Sequence, residues 1–222
     1  MTGRRRVGRP LTAVLSVDGI AAAGLELLDE RGDFSMAELA RALDVQASAL
    51  YNHVAGKDEV LARVRELVSD RIDVGVFDRL SLEEALPVWA RSYRVAFATH
   101  PVTVALFATL PVVRADRTIA MYERVIRAFA ESGWPEDDIL TTVVALESLI
   151  LGSALDVVAP DDMLDPVGAD GAPAFTAAYA AQRAALGEIR PADAAFEAGL
   201  SAMLVGLRAR LASLRGAPGA TP

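Results

Sequence analysis

The 222-residue sequence has no cysteine. That absence excludes disulfides, thiolate catalysis and cysteine-bound zinc. Histidine is nearly as scarce. His53 and His100 are the two present, far apart in the chain and a poor start for a metal site. No metal and no cofactor are expected. No uncharged apolar run of about 18 residues occurs, because Glu147 and Asp156 interrupt the greasiest segment, so no membrane-spanning helix and no membrane partner are expected. The N-terminal arginines are not followed by the apolar stretch of a secretory signal, which points to a cytoplasmic protein. Lysine is almost missing too: Lys57 stands alone among 22 basic residues. With the abundant alanine, that bias reads as the codon composition of a GC-rich genome. It makes the one lysine more noticeable.

Hydrophobic residues make up 53% of the chain, so a packed globular protein is expected. The net charge is −8, the wrong sign for nucleic acid, but its distribution matters more than its sum. Arg4, Arg5, Arg6 and Arg9 fall in the first nine residues with no acid among them. A basic arm on an acidic body suits a protein that offers one end to phosphate. Residues 1–15 are expected to be a flexible basic arm that touches phosphate or the minor groove, the plain alternative being a solvated tail.

The most informative stretch is Ser35 to Lys57. Before it, a helix is predicted over 16–31, with Ile20, Ala23, Gly24, Leu27 and Leu28 at helical spacing and Gly32 as its stop. Ser35, a candidate DNA contact, has the capping-box pattern with Glu38 three residues on. Met36, Leu39, Ala40 and Leu43 then face inward along a second helix. Asp44-Val45 is the turn, and a third helix is predicted over 46–53 with Leu50 inward. This is a helix-turn-helix pattern. Gln46, Ala47, Ser48, Ala49, Asn52 and His53 lie outward, small enough for a helix to enter the major groove. Gln46, Ser48 and Asn52 suit base edges, while Tyr51 and His53 suit phosphate oxygens. Lys57 falls at the start of a fourth helix, where the dipole already favours a phosphate.

Residues 16 to about 61 resemble the DNA-binding domain of TetR-family transcriptional regulators. The matching residues are Ala21-Ala22, Leu27, Met36 through Leu43, Leu50-Tyr51-Asn52-His53-Val54, Lys57 and Leu61. The resemblance implies a homodimer, an N-terminal three-helix reader and an all-helical C-terminal regulatory domain. It implies backbone contacts for Tyr51, His53 and Lys57 and base-facing positions for Ala47, Ser48, Ala49 and Asn52. Two positions depart from the family pattern. Ala37 stands where a longer polar side chain is common, and Asp44 stands where glycine is common.

Beyond the reader, helices are predicted over 57–73, 82–99, 102–110, 115–132, 135–159, 175–186 and 191–214, with loops at 75–80 and 160–173. The fold class is all-α. The expected division is an arm at 1–15, a DNA-binding domain at 16–61, a ligand-binding and dimerisation domain at 62–215 and a disordered tail at 216–222. In the seventh helix Ile119, Tyr122, Val125, Ile126 and Phe129 are expected to be buried. The eighth carries two apolar stripes, Ile139, Val143, Leu146, Ile150 and Leu140, Val144, Leu151, Leu155, so it must be covered on two sides. One cover is its own domain. The other is a second copy, dimerising through helices 8 and 10, where small residues Ala195, Gly199, Ala202 and Gly206 allow close approach.

The large residues available to an effector are Trp89, Tyr93, Phe97, Phe107, Met121, Tyr122 and Phe129, although aromatic helical stripes are usually core. Glu147 interrupts an apolar face, and a buried carboxylate needs a partner. That partner is a cationic or hydroxylated ligand, or an arginine such as Arg94. The function expected is a homodimeric repressor on double-stranded operator DNA, released by a small, largely apolar effector. An activator or ligand-independent regulator of the same fold is the alternative. A helical enzyme is the remote one, and no catalytic set is visible.

Overall fold

The computed structural model describes residues 15–112, 115–168 and 171–216. Arg4, Arg5, Arg6 and the rest of the arm up to residue 14 lie outside the described residues. So does the expected tail apart from Gly216, which ends the last helix. All regular structure among the described residues is helical. The chain divides into two compact units, Met1–Leu67 and Val68–Pro222.

In the first unit, α1 (Val17–Arg31) starts where the Ser16 hydroxyl accepts the Gly19 N–H at 3.1 Å, and stops at Gly32, whose φ of 78° a side chain would resist. Helix α2 (Met36–Ala42) is opened by the capping box expected of Ser35 and Glu38. Helix α3 (Ala47–Leu50) and α4 (Lys57–Ser69) follow. Ile20, Leu28, Leu39, Leu50, Val60 and Val64 are fully buried and form the core. Gly24 is needed here, because a Cβ on it would lie 3.0 Å from Val60 Cγ1. Met36 and Leu43, expected inward, are half-buried.

After α4, which ends four residues earlier than expected, a 3-10 turn, Val74–Asp78, takes up most of the segment predicted as a loop over 75–80. Helix α5 (Leu82–Ala98) starts at a second capping box, in which the Glu84 carboxylate accepts the Ser81 hydroxyl at 2.6 Å. Then come α6 (Pro101–Thr109), α7 (Asp116–Glu131), α8 (Glu136–Asp156), α9 (Pro173–Leu186) and α10 (Pro191–Gly216). Helix α8 packs against α5, α7 and α10.

Its two stripes have opposite fates. Ile139, Val143, Leu146 and Ile150 are buried at 2% exposure or less, whereas Leu140, Val144 and Leu155 are exposed by 56%, 50% and 42%. By length and composition α8 passes as a membrane-crossing helix, as core helices also do, and 44% of the relevant window is buried. In α7 Val125 and Phe129 of the expected stripe are buried, but Tyr122 and Ile126 are half-buried and Ile119 is 50% exposed, the buried line being Thr118, Met121, Val125 and Phe129. Thr118 holds the inner position, so a pattern drawn from apolar residues alone is centred one residue too late.

Candidate functional site

The first candidate surface is built by the turn between α2 and α3. Asp44 adopts φ 53°, making it the non-glycine residue with left-handed backbone among the described residues. That conformation is why glycine suits the position, and Asp tolerates it better than most side chains. The reversal presents α3, which is shorter than the pattern over 46–53 predicts. Gln46 is its N-cap and the helix ends at Leu50. The chain continues as turns, with the Asn52 N–H donating to Ala49 O at 3.3 Å and the His53 N–H to Leu50 O at 2.9 Å. Tyr51, Asn52 and His53 therefore project from a turn instead of a helix. All three are exposed, Tyr51 by 55%. Gln46 and Ser48 are also exposed, while Ala47 and Ala49 are half-buried. Leu50 and Val54 anchor the segment from below.

Two of the expected DNA residues already have partners. The Ser35 hydroxyl accepts the Glu38 N–H at 3.2 Å and donates to its carboxylate at 2.7 Å. The hydroxyl's bond, and then the Ser35 N–H donating to the same carboxylate at 2.8 Å, hold the Glu38 carboxyl below its ordinary range. Lys57 is ion-paired with Asp33, and its ammonium sits 5.2 Å from the centre of the Phe34 ring. The hydrogen bond from Lys57, then that from the Phe34 N–H, lowers the Asp33 pKa. Asp33 is thus a second acid on this unit, beside Asp44, that sequence reasoning did not single out.

The second candidate site lies inside the second unit. Phe77, Trp89, Tyr93, Phe97 and Phe107 form a chain of ring contacts with centroids 6.0, 5.4, 5.2 and 6.3 Å apart. Trp89, Tyr93, Phe97, Met121 and Phe129 are buried, and Phe107 and Tyr122 are half-buried. Glu147 sits among them at 8% exposure. The Tyr93 hydroxyl donates to its Oε1 at 3.1 Å, and Tyr122 gives it a second hydrogen bond. Burial nonetheless pushes the Glu147 carboxyl above its ordinary range, and the two phenols only partly offset this. Its partner is therefore not Arg94. That guanidinium donates to Ser153 Oγ at 2.8 Å and Asp193 Oδ1 at 2.7 Å, and lies 4.7 Å from the Phe196 ring centre, joining α5 to α8 and α10. Three donor atoms in this unit, Trp89 Nε1, Arg94 Nη2 and Thr118 Oγ1, are buried without a hydrogen-bond partner.

His100 caps the start of α6, and its Nε2 lies 3.0 Å from the Arg71 guanidinium. No group of three metal-ligating side chains occurs among the described residues. Missing from the residues picked out by pattern are Phe77, Thr118 and Trp134. Trp134 is 5% exposed with its ring 5.5 Å from that of Phe129. Its position between Gly133 and Pro135 gives it no periodic neighbours by which a pattern would find it.

A capped helix-turn-helix unit followed by an all-helical body is the arrangement of a helix-turn-helix transcriptional regulator. The match is specific. Residues 78–211 fit the family model described as the tetracyclin repressor-like C-terminal domain, and the chain belongs to that family of TetR-type transcriptional regulators. An HTH-type transcriptional regulator from Saccharopolyspora erythraea is 31% identical over 142 residues. That match covers 63% of this chain, and the chain spans 60% of the relative's length. The crystal structure of a possible TetR family transcriptional regulator from Streptomyces coelicolor A3(2) superposes with a TM-score of 0.68 at 25% identity, covering 87% of this chain and 99% of that one. The S. coelicolor TetR family protein ActR in complex with (S)-DNPA superposes with a TM-score of 0.70 at 25% identity, covering 89% and 98%.

Proposed function

We propose that this chain is a homodimeric, ligand-responsive repressor that binds double-stranded operator DNA and leaves it when a small, largely apolar molecule enters the second unit. The exposed row Tyr51-Asn52-His53, set beside Gln46 and Ser48 on a turn held by Leu50, is the observation that carries it. Residues 16–61 act as the reader, 62–215 as the ligand-binding and dimerisation domain, with Arg4, Arg5 and Arg6 of the arm adding phosphate contacts. Lys57 exchanges Asp33 for a phosphate on binding. Dimerisation through α8 and α10 covers the exposed stripe Leu140, Val144 and Leu155. The effector takes the aromatic core around Glu147, and the unpartnered donors Trp89 Nε1 and Thr118 Oγ1 favour a molecule with hydrogen-bond acceptors on an apolar frame. The complex of ActR with a small molecule supports the same assignment by likeness. The chain works in the cytoplasm, without cofactor, metal or catalytic turnover.

Fluorescence anisotropy on DNA flanking the chain's own gene tests this, over a salt series and against random DNA. The affinity should fall steeply with salt, and Tyr51→Ala with His53→Ala should weaken it about tenfold by removing phosphate contacts. Equal affinity for random DNA, or a double variant that binds like the parent, would sink the proposal.

A further inference from the structure

A cavity of about 370 Å³ opens in the second unit between the first turns of α5, the turn joining α7 to α8, and the second half of α10. Small-molecule sites occupy roughly 300–1,000 Å³, so the space is large enough for one. Leu82 and Leu86 from α5, Trp134 from the turn, and Leu204, Leu207 and Leu211 from α10 wall it. The spacing of the three α10 leucines puts them on one helical face. Trp134 is buried against Phe129, so that wall is anchored to the core. None of these six residues belongs to either site described above.

Charge is confined to the edge of the cavity. Glu83 and Arg208 form an ion pair that ties α5 to α10. Arg215 differs. It donates to the Ser132 carbonyl, and no carboxylate pairs with it among the described residues. It lies beside Gly133, where a Cβ would stand 3.4 Å from Arg215 Nη2, an ordinary contact. A guanidinium held by a neutral carbonyl keeps most of its donors for an anion.

We infer that this cavity is a second small-molecule site, which takes an amphiphile with an aliphatic body and one anionic head, a medium-chain carboxylate. The body lies against the leucines and Trp134. The head meets Arg215. The proposal does not depend on the effector site around Glu147, and it makes α10 responsive to a ligand of its own.

The chain's two tryptophans separate the sites, Trp134 lining this cavity and Trp89 the aromatic core. The experiment uses the full-length protein, with anilinonaphthalene sulfonate as fluorescent probe, decanoate as competitor and decanol as its neutral counterpart. In Trp89→Phe, decanoate should displace the probe and change the emission of Trp134. In Trp134→Phe, the emission of Trp89 should stay constant. Leu207→Gln should weaken decanoate about tenfold by placing an amide in the apolar wall. Arg215→Ala should weaken it about threefold and abolish its preference over decanol, as expected for an exposed ion pair. Arg215 is exposed, so that variant folds whether or not Leu207→Gln does, and the decanoate-to-decanol ratio decides alone. A ratio unchanged by Arg215→Ala, or a response from Trp89 instead of Trp134, overturns the assignment.

Discussion

The two units of this chain use most of their polar side chains differently. In the first, apart from the buried Arg65 and Glu66, polar groups stand near the surface and fix the backbone. Ser16 and Ser35 cap helices, Glu38 closes a capping box, and the Glu59 carboxylate accepts the Ala55 N–H at 2.7 Å ahead of α4. The buried apolar residues beneath them are aliphatic apart from Phe34, and Arg65 and Glu66 of α4 are buried charged residues of this unit. In the second, polar groups are carried into the core. Glu147 rests on two phenols, Arg94 bridges three helices, and Thr118 occupies an inner position of α7. The proposed function assigns the outside partner to the unit that keeps most of its chemistry outside. It assigns the enclosed ligand to the unit that holds hydrogen-bonding groups where water is excluded, at a cost to its own stability.

This contrast predicts different responses to substitution. The largest is expected for Phe129→Ala, which empties a fully buried ring site against Trp134 and should cost about 3–5 kcal/mol in urea unfolding. A loss near zero would show that the aromatic core of the second unit is loose. Glu147→Gln should act in the opposite sense. Burial keeps the folded-state carboxyl protonated at pH values where the unfolded chain, near its ordinary 4.5, has released the proton. Wild-type stability therefore declines as pH rises through that window, and the glutamine variant should gain on it progressively towards neutrality. A stability difference that is flat with pH would mean the carboxyl titrates as in water. In the first unit, Ser35→Ala removes a cap and should cost about 1 kcal/mol, read as a lower melting temperature. Asp44→Gly should be the mildest change, a gain of at most about 1 kcal/mol from relief of left-handed strain. Destabilisation there would show that the aspartate side chain holds the turn.

The first unit was largely legible in the sequence because its signals are local. Ser35 and Glu38 are three residues apart, Gly32 ends a helix by its own backbone freedom, and Leu50 and Val54 are spaced by one turn. The length of α3 was not legible. Small, polar residues from Gln46 to His53 fit a helix and a series of turns equally well. In the second unit helices were readable but their inner faces less so. Thr118 hid the phase of α7. The partner of Glu147 depends on Tyr93, 54 residues away, and that of Arg94 on Asp193, 99 residues away. Such pairings are set by how helices stack, which no spacing along the chain encodes. The cavity lined by Trp134 joins segments from residue 81 to 215 and leaves no local signature at all.

Helix α8 carries its buried and exposed stripes one residue apart, on a rod of 21 residues. At a rise of ~1.5 Å per residue the rod is roughly 31 Å long, and its side chains reach about 5 Å from the axis. Such a rod works as an axle. Turning it about 20° to make room beside Glu147 would sweep Leu140, Val144 and Leu155 sideways by about 2 Å together, since a hydrogen-bonded helix twists as one piece. Whatever packs on that outer stripe then receives the same displacement along its whole length, with no chain of intermediate contacts to weaken it.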